Sequence, residues 1–309
     1  MPQFLNTADA GFEQSFTALL GAKREDSPDV DAVVARIIAD VRDRGDTALV
    51  ELTAKFDRME LEPAQLRITD AEVEAAIATV SAEERQALEL AADRIRAYHM
   101  RQMPEDAQWT DEAGATLGWR WSAVSAAGLY VPGGLASYPS SVLMNAIPAK
   151  VAGVQRLAVT VPTPDGQINP LVLLAAKIAE VDEIYRVGGA QAVAALAYGT
   201  ETIAPVDKIT GPGNAFVAAA KRRVFGKVGI DMIAGPSEIL VIADKDNNPD
   251  WIALDLMSQS EHDESAQSIL ITDDEGFGLA VAAAVDKRLE TLERRAIAGP
   301  SWRDFGAVL

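Results

Sequence analysis

The sequence predicts an α/β protein with a parallel sheet, preceded by a helical N-terminal portion. From residue 122 to 242, short apolar runs alternate with glycine turns and helical patterns. This order is typical of βαβ units around a parallel sheet. In the first 105 residues, by contrast, apolar positions recur at helical spacing among charged residues, which indicates helices.

Composition limits the class of protein. A chain of 309 residues is long enough for about two domains. The formal net charge of -18 argues against a nucleic acid or an anionic membrane as a partner, because both require basic patches. The chain has no cysteine, so a metal site would use nitrogen and oxygen ligands. Without a signal peptide or a run of ~18 apolar residues, we expect a soluble protein, and the absence of cysteine fits a cytoplasmic location.

The helices of the N-terminal portion are predicted from their periodicity and their caps. Residues Val33–Val41 place valine and isoleucine on one helical face. Thr69 and Ser81 each lie three residues before a glutamate, the pattern of a capping box, and the second helix should reach roughly Gln102. We interpret His99, near the end of that helix, as part of a solvated face whose cations suit a helix C-terminus.

The remaining elements follow from the alternation of apolar runs and turns. Strands are predicted at 157–161, 183–187, 207–210, 239–242 and 268–272, and helices after Asn169-Pro170, Gly188-Gly189, Gly211-Pro212-Gly213 and Asn248-Pro249 and over 274–292. The segment Phe305–Leu309 looks like the start of a strand. Because a protein rarely ends inside an apolar strand that nothing covers, we expect a truncated chain.

The glycine turns leave two interpretations open. A G-x-G-x-x-G fingerprint is absent, since Phe216 stands where the third glycine of Gly211–Phe216 would be. The turns still deliver helix N-termini beside strand ends, where backbone N–H groups can meet phosphate. Tight turns alone explain these glycines equally well. Gly128–Gly134 similarly is read as a turn with either a buried Tyr130 or a ring that stacks on a ligand.

Gln259 and His262 are three residues apart, so on a helix they share one face. Imidazole nitrogen suits zinc, whereas glutamine is an uncommon ligand. A zinc site needs roughly three or four protein ligands, so these two residues do not complete one. The spacing alone therefore leaves a metal site and an ordinary structural role both open.

Five segments in order along the chain resemble the signatures of the histidinol dehydrogenase family. They are Gly128–Gly134, Gly188–Ala192, Gly211–Asn214, Ala234–Glu238 and Gln259–His262. The resemblance implies oxidation of L-histidinol through histidinal to L-histidine, with NAD and zinc as cofactors. It also implies an aldehyde-dehydrogenase-like architecture of two related, incomplete Rossmann-like domains. We predict a dinucleotide-binding-like domain at 126–237, inserted into a discontinuous domain of residues 1–125 plus 238–309.

The resemblance also assigns residue roles. It implies NAD contacts for Tyr130, Gln191 and Asn214. It implies substrate contacts for Ser237, Gln259 and His262, the last two also as zinc ligands.

The family's Glu-His pair of general bases and its two other zinc ligands correspond to positions beyond Leu309. We therefore expect no catalytic residue within this chain, which should be inactive by itself, and a homodimer when full length. Two alternatives remain: a related zinc- and NAD-dependent dehydrogenase of another small alcohol, such as a sulfonated diol, and a non-catalytic binding or scaffold protein.

Overall fold

The computed structural model describes residues 2–21, 28–133, 138–233 and 237–309. The chain forms two compact units. The larger unit comprises Pro28–Ala234, and the smaller unit combines Met1–Ser27 with Gly235–Leu309. None of the described helices combines the length and the apolar character needed to cross a membrane.

The elements before the larger sheet are mostly helical, in agreement with the sequence. In chain order they are β1 (Gln3–Phe4), α1 (Phe12–Gly21), α2 (Pro28–Arg44), α3 (Asp46–Asp57), α4 (Asp70–Ile77), α5 (Ala82–Met100), β2 (Ala107–Thr110) and β3 (Thr116–Trp119). Thr69 and Ser81 cap α4 and α5, each with both hydrogen bonds of a capping box, so these two predictions are confirmed.

The rest of the larger unit alternates strands and helices. Its elements are β4 (Ala126–Tyr130), α6 (Pro139–Val151), β5 (Arg156–Thr160), α7 (Pro170–Ile178), β6 (Glu183–Tyr185), α8 (Gly189–Tyr198), β7 (Lys208–Thr210), α9 (Ala215–Val224) and β8 (Gly229–Ile230). The five strands form one parallel sheet in the order β6-β5-β4-β7-β8. The predicted parallel α/β fold is confirmed.

Helices cover both faces of this sheet, and the alternation of side chains along its strands explains why. Ala126 and Tyr130 of β4 pack in a core with α2, α3, α8 and α9. Ala127 and Leu129 of the same strand pack in a second core with α4 to α7. Successive side chains of a strand point to opposite faces, so a strand buried on both sides is apolar throughout.

The smaller unit contains a second parallel sheet. Its later elements are β9 (Glu238–Ile242), α10 (Pro249–Ser260), β10 (Gln267–Ile271), α11 (Glu275–Leu289), α12 (Arg295–Phe305) and β11 (Ala307–Val308). The strand order is β1-β11-β10-β9, with every pair parallel. Trp302 of α12 is buried in the core of this unit, together with Leu256 and Val281 from the two preceding helices.

The division of the chain differs from the predicted one at its first boundary. We predicted that residues 1–125 would pack with 238–309, whereas residues 28–125 belong to the larger unit. The reason is the second layer of that sheet: α2 lies on α8 and α9, and α5 lies on α6. Whether 126–237 acts as a separate dinucleotide-binding domain stays a prediction.

Several elements differ from the sequence-based expectation. The segment from Gly128 was read as a turn, but Ala126–Tyr130 is a buried strand and the chain turns only after Tyr130. The helix predicted over 274–292 ends at Leu289, and a separate helix follows at Arg295–Phe305. Helix α10 ends at Ser260, so His262 lies beyond the helix on which it was placed.

Candidate functional site

The larger sheet has a crevice at its carboxyl edge, between β4 and β7. The strand order reverses there, because β5 and β6 lie on one side of β4 while β7 and β8 lie on the other. Helix α6, after β4, packs on one face, and α9, after β7, packs on the other. The connecting loops therefore diverge. Open α/β sheets bind their ligands in such crevices.

A cavity of about 320 Å³ lies at this edge. Its lining includes all three residues for which the family resemblance implied NAD contacts, Tyr130, Gln191 and Asn214. A neighbouring pocket of about 690 Å³ shares part of the same wall, namely Phe56, Gly133, Pro162 and Pro164. Both volumes lie within the range of small-molecule sites. Gly134, predicted as part of the turn after β4, lies outside the described residues.

Tyr130 is the last residue of β4 and is only 4% exposed. Its hydroxyl accepts a hydrogen bond of 3.2 Å from the backbone N–H of Gly189, at the start of α8. Burial, and then the nearby charge of Asp57, raise the pKa of the phenol, although the Gly189 bond opposes the shift. The hydroxyl thus stays protonated, and because its oxygen is the acceptor in the bond from Gly189, its O–H is available as a donor for a ligand.

Gln191 and Asn214 each stand at a helix N-terminus. Gln191 lies in the first turn of α8 and is 2% exposed. Asn214 is the N-cap of α9, and its Oδ1 accepts from the backbone N–H groups of Phe216 and Val217 at 3.1 and 3.2 Å. Because the cap uses only Oδ1, the amide N–H groups of Asn214 are the donors available to a ligand. Helix N-termini also favour anions such as phosphate.

The loop that carries Asn214 is held by an ion pair between a buried lysine and a more exposed aspartate, which the sequence did not reveal. Lys221 of α9 is 3% exposed, donates to the carbonyl of Gly211 at 3.0 Å and forms a salt bridge with Asp231. Asp231 in turn accepts from the N–H of Gly211 at 2.8 Å. Both backbone groups of Gly211 are thereby fixed. In the sequence, Lys221 is indistinguishable from the adjacent arginines at a helix end.

Gly211 itself has a positive φ of 120°, and a Cβ there would lie 2.1 Å from the carbonyl oxygen of Tyr130. Only glycine allows the two backbones to approach so closely. The end of β4 and the turn after β7 are therefore in direct contact at the crevice.

Asp57 is a second residue that sequence reasoning missed. It ends α3, is 8% exposed and lines the same cavity as Tyr130. Burial raises the pKa of its carboxyl, and a backbone hydrogen bond from Thr163 and the charge of Arg58 offset only part of this effect. In the sequence Asp57 is one acid among many in a charged helical region, so no pattern singles it out.

The residues predicted to contact substrate and zinc lie in the smaller unit. Gln259 is in the last turn of α10 and half-buried, whereas His262 is exposed in the turn after it. The backbone N–H of His262 bonds to the carbonyl of Gln259 at 3.1 Å, so the chain continues to turn between them. Ser237 is exposed directly before β9, and its carbonyl accepts from Gln267 of β10 at 3.0 Å.

These three residues all lie toward the amino ends of β9 and β10. The glycine and proline of the predicted Gly235-Pro236-Ser237-Glu238 turn lie outside the described residues. Within the described ranges, no three histidine, aspartate or glutamate side chains are grouped so as to hold a metal ion. Gln259 and His262 alone do not fit a zinc site.

Comparison with known proteins identifies relatives along the whole chain. The sequence model of the histidinol dehydrogenase family matches residues 21–309. Histidinol dehydrogenase from Ruegeria pomeroyi is 80% identical over 309 residues, which is 100% of this chain and 71% of the relative. The protein of the same name from Cereibacter sphaeroides is 77% identical with the same coverage.

A solved structure gives the same result. The crystal structure of histidinol dehydrogenase from Elizabethkingia anophelis superposes with a TM-score of 0.87 at 35% identity, over 100% of this chain and 70% of that one. The fold and the motifs thus point to one set of relatives.

Proposed function

The chain belongs to the histidinol dehydrogenase family, oxidoreductases of histidine biosynthesis, and we propose that its larger unit binds NAD for the oxidation of L-histidinol. The observation that carries the proposal is the convergence of Tyr130, Gln191 and Asn214 on one cavity. They lie at or just after the carboxyl ends of three different strands, β4, β6 and β7, at the edge where α/β proteins bind nucleotides.

The residues of this cavity fit a dinucleotide. The O–H of Tyr130 and the amide groups of Gln191 and Asn214 provide donors, and the dipoles at the N-terminal ends of α8 and α9 favour phosphate. Phe56 and Phe216 provide apolar wall against which a planar ring can pack. Bound NAD would supply the hydride acceptor, and the protein groups would orient it.

We further propose that Ser237, Gln259 and His262 contact L-histidinol and that the last two residues ligate zinc. This proposal rests on the family's motifs and on the position of the two ligands at the C-terminal end of α10, where the helix dipole favours a cation. The described residues do not complete a zinc site. Homodimer formation, a cytoplasmic location and an aldehyde-dehydrogenase-like architecture are proposed on the resemblance alone.

The NAD site is tested with two substitutions that preserve local structure. Tyr130→Phe removes one hydroxyl, and Asn214→Ser removes the amide while retaining an N-cap oxygen. Each should weaken NAD binding roughly 3–10-fold in isothermal titration calorimetry, the effect of one lost hydrogen bond. Tyr198→Phe is the matched control, because Tyr198 lies at the other end of α8 with the Arg42 guanidinium over its ring. This variant should bind NAD as the unmodified chain does. If neither site substitution changes the affinity, the proposed site is wrong.

A further inference from the structure

Asp57 occupies a position that is unfavourable for a carboxylate. It is the last residue of the 12-residue helix α3, where the helix dipole disfavours a negative charge. It is also 8% exposed, so it has lost most of its hydration. Its neighbour Arg58 has a left-handed backbone, with φ of 54°, and its guanidinium is paired with Asp165 at 2.7 Å.

The carboxylate is also only half satisfied. The backbone N–H of Thr163 donates to it, but Oδ2 is shielded from solvent and has no hydrogen-bond partner. A buried acceptor without a donor is rare in folded proteins and calls for a specific explanation. The structural role of ending a helix does not provide one, because an uncharged residue would end α3 without this penalty.

The surroundings of Asp57 indicate which donor is missing. The cavity wall already provides groups suited to phosphate and carbonyl oxygens. These are the Tyr130 hydroxyl, the side-chain amides and the helix N-termini. Asp57 instead contributes an acceptor, so it complements a ligand group that donates. In a dinucleotide the ribose hydroxyls are such donors, and an acidic residue that accepts from a ribose hydroxyl is a recurrent feature of NAD sites.

We propose that Asp57 recognises a ribose of the bound dinucleotide by accepting hydrogen bonds from its vicinal hydroxyl groups. This inference rests on the proposed NAD site, but not on the roles of Tyr130, Gln191 or Asn214. Because Oδ2 is shielded in the free chain, the carboxylate would rotate toward the cavity on binding, and the ligand would then provide the donor that Oδ2 lacks. The buried carboxylate of Asp57 therefore lowers the stability of the free chain, and ligand binding would relieve this penalty. Such a loss of stability is expected at residues kept for function.

The test compares ligands that differ only in their hydroxyls. In the 309-residue chain, AMP and nicotinamide mononucleotide each carry one of the two riboses, and the 2′,3′-dideoxy forms lack the diol. Asp57→Asn should weaken binding of AMP or of nicotinamide mononucleotide about tenfold, as expected for hydrogen bonds to a charged group. The corresponding dideoxy form should bind the two proteins equally. The mononucleotide that responds identifies which ribose is held.

Asp46→Asn is the matched control, because Asp46 is also buried on α3 and its Oδ1 also lacks a partner, but it lies outside the cavity and its Oδ2 bonds to Thr202. It should leave the affinities for both mononucleotides unchanged. The melting temperature of Asp57→Asn should equal or exceed that of the unmodified chain, which excludes misfolding as the cause of weaker binding.

Equal weakening of the hydroxylated and dideoxy forms, or no weakening of either, would overturn the role of Asp57. Absence of NAD binding by the unmodified chain would instead refute the proposed function, so the two failures are distinguishable.

Discussion

The predicted ligand residues lie at the carboxyl edge of the sheet in the larger unit and at the amino edge of the sheet in the smaller unit. In the larger unit, Tyr130, Gln191 and Asn214 follow the carboxyl ends of strands and share one cavity. In the smaller unit, Ser237 and His262 precede the amino ends of β9 and β10 and are exposed. Only the first arrangement is the usual ligand site of an open α/β sheet.

Both units carry clear family motifs, but among the described residues only the larger unit holds a complete set for its predicted ligand. The larger unit supplies both the donors and the ion pair Lys221–Asp231, which fixes the loop that carries Asn214. The smaller unit supplies two potential metal ligands and no described cluster that would complete a metal site. We therefore expect this chain to bind a dinucleotide but to catalyse the oxidation poorly.

The largest expected effect is on activity. With saturating zinc, NAD and L-histidinol, NADH formation by this chain should be at least roughly 10²–10⁴-fold slower than by the Ruegeria pomeroyi relative, which is 80% identical and longer. Positioned acid–base catalysis contributes a factor of this size, and the resemblance places the general bases beyond Leu309. Comparable rates would show that the bases lie within these 309 residues. Other small alcohols, including a sulfonated diol, serve as the substrate control.

The next largest effect concerns Lys221, which holds the loop that carries Asn214. Lys221→Met should lower the free energy of unfolding by about 2–3 kcal/mol, because the carbonyl of Gly211 loses its charged donor and Asp231 loses its ionic partner. NAD affinity should fall as well, since Gly211 loses a fixed position. Urea denaturation and calorimetry measure the two effects. Lys177→Met, which breaks an exposed pair with Glu74, is the control and should cost no more than about 1 kcal/mol.

Gly211→Ala tests the close approach of β4 and the following turn. The new Cβ would lie 2.1 Å from the carbonyl oxygen of Tyr130, at a φ of 120°, so the chain must move. We expect a loss of about 2–3 kcal/mol in unfolding free energy together with weaker NAD binding. Gly226→Ala, also at positive φ but with nothing within 4 Å of its Cβ, should cost only about 1 kcal/mol. Equal losses would mean that contact with Tyr130 is unimportant.

Features set by local chemistry were predicted well from the sequence. Thr69, Ser81, Asn169 and Asn248 all cap the helices expected of them, because a cap depends on residues within one turn. The end of the strand Ala126–Tyr130, from Gly128 onward, was mistaken for part of a turn, because a short segment rich in glycine and alanine has no period of its own. Its strand character comes from β5 and β7 on either side.

The features that were missed depend on tertiary contacts. Helix α12 contains Pro300, which argues against a helix locally, yet the burial of Trp302 anchors it. The antiparallel pair β2 and β3 was likewise not predicted. In this pair the ring centroids of Trp109 and Trp119 lie 5.1 Å apart. In the site, Asp57 and Lys221 are recognisable only once folding has buried them. The roles of Tyr130, Gln191 and Asn214 came from family resemblance, not from periodicity.

The smallest expected effect concerns the smaller unit. This chain should bind zinc weakly, because Gln259 and His262 are two neutral ligands where zinc requires roughly three or four. His262→Ala should change the free energy of unfolding by no more than about 0.5 kcal/mol, since the side chain is exposed. His99→Ala, which removes the only other histidine from the exposed face of α5, is the matched control for adventitious binding. Tight one-to-one binding in calorimetry, abolished by His262→Ala but not by His99→Ala, would contradict the prediction and place a complete zinc site within these 309 residues. The difference in completeness between the two units would then no longer hold.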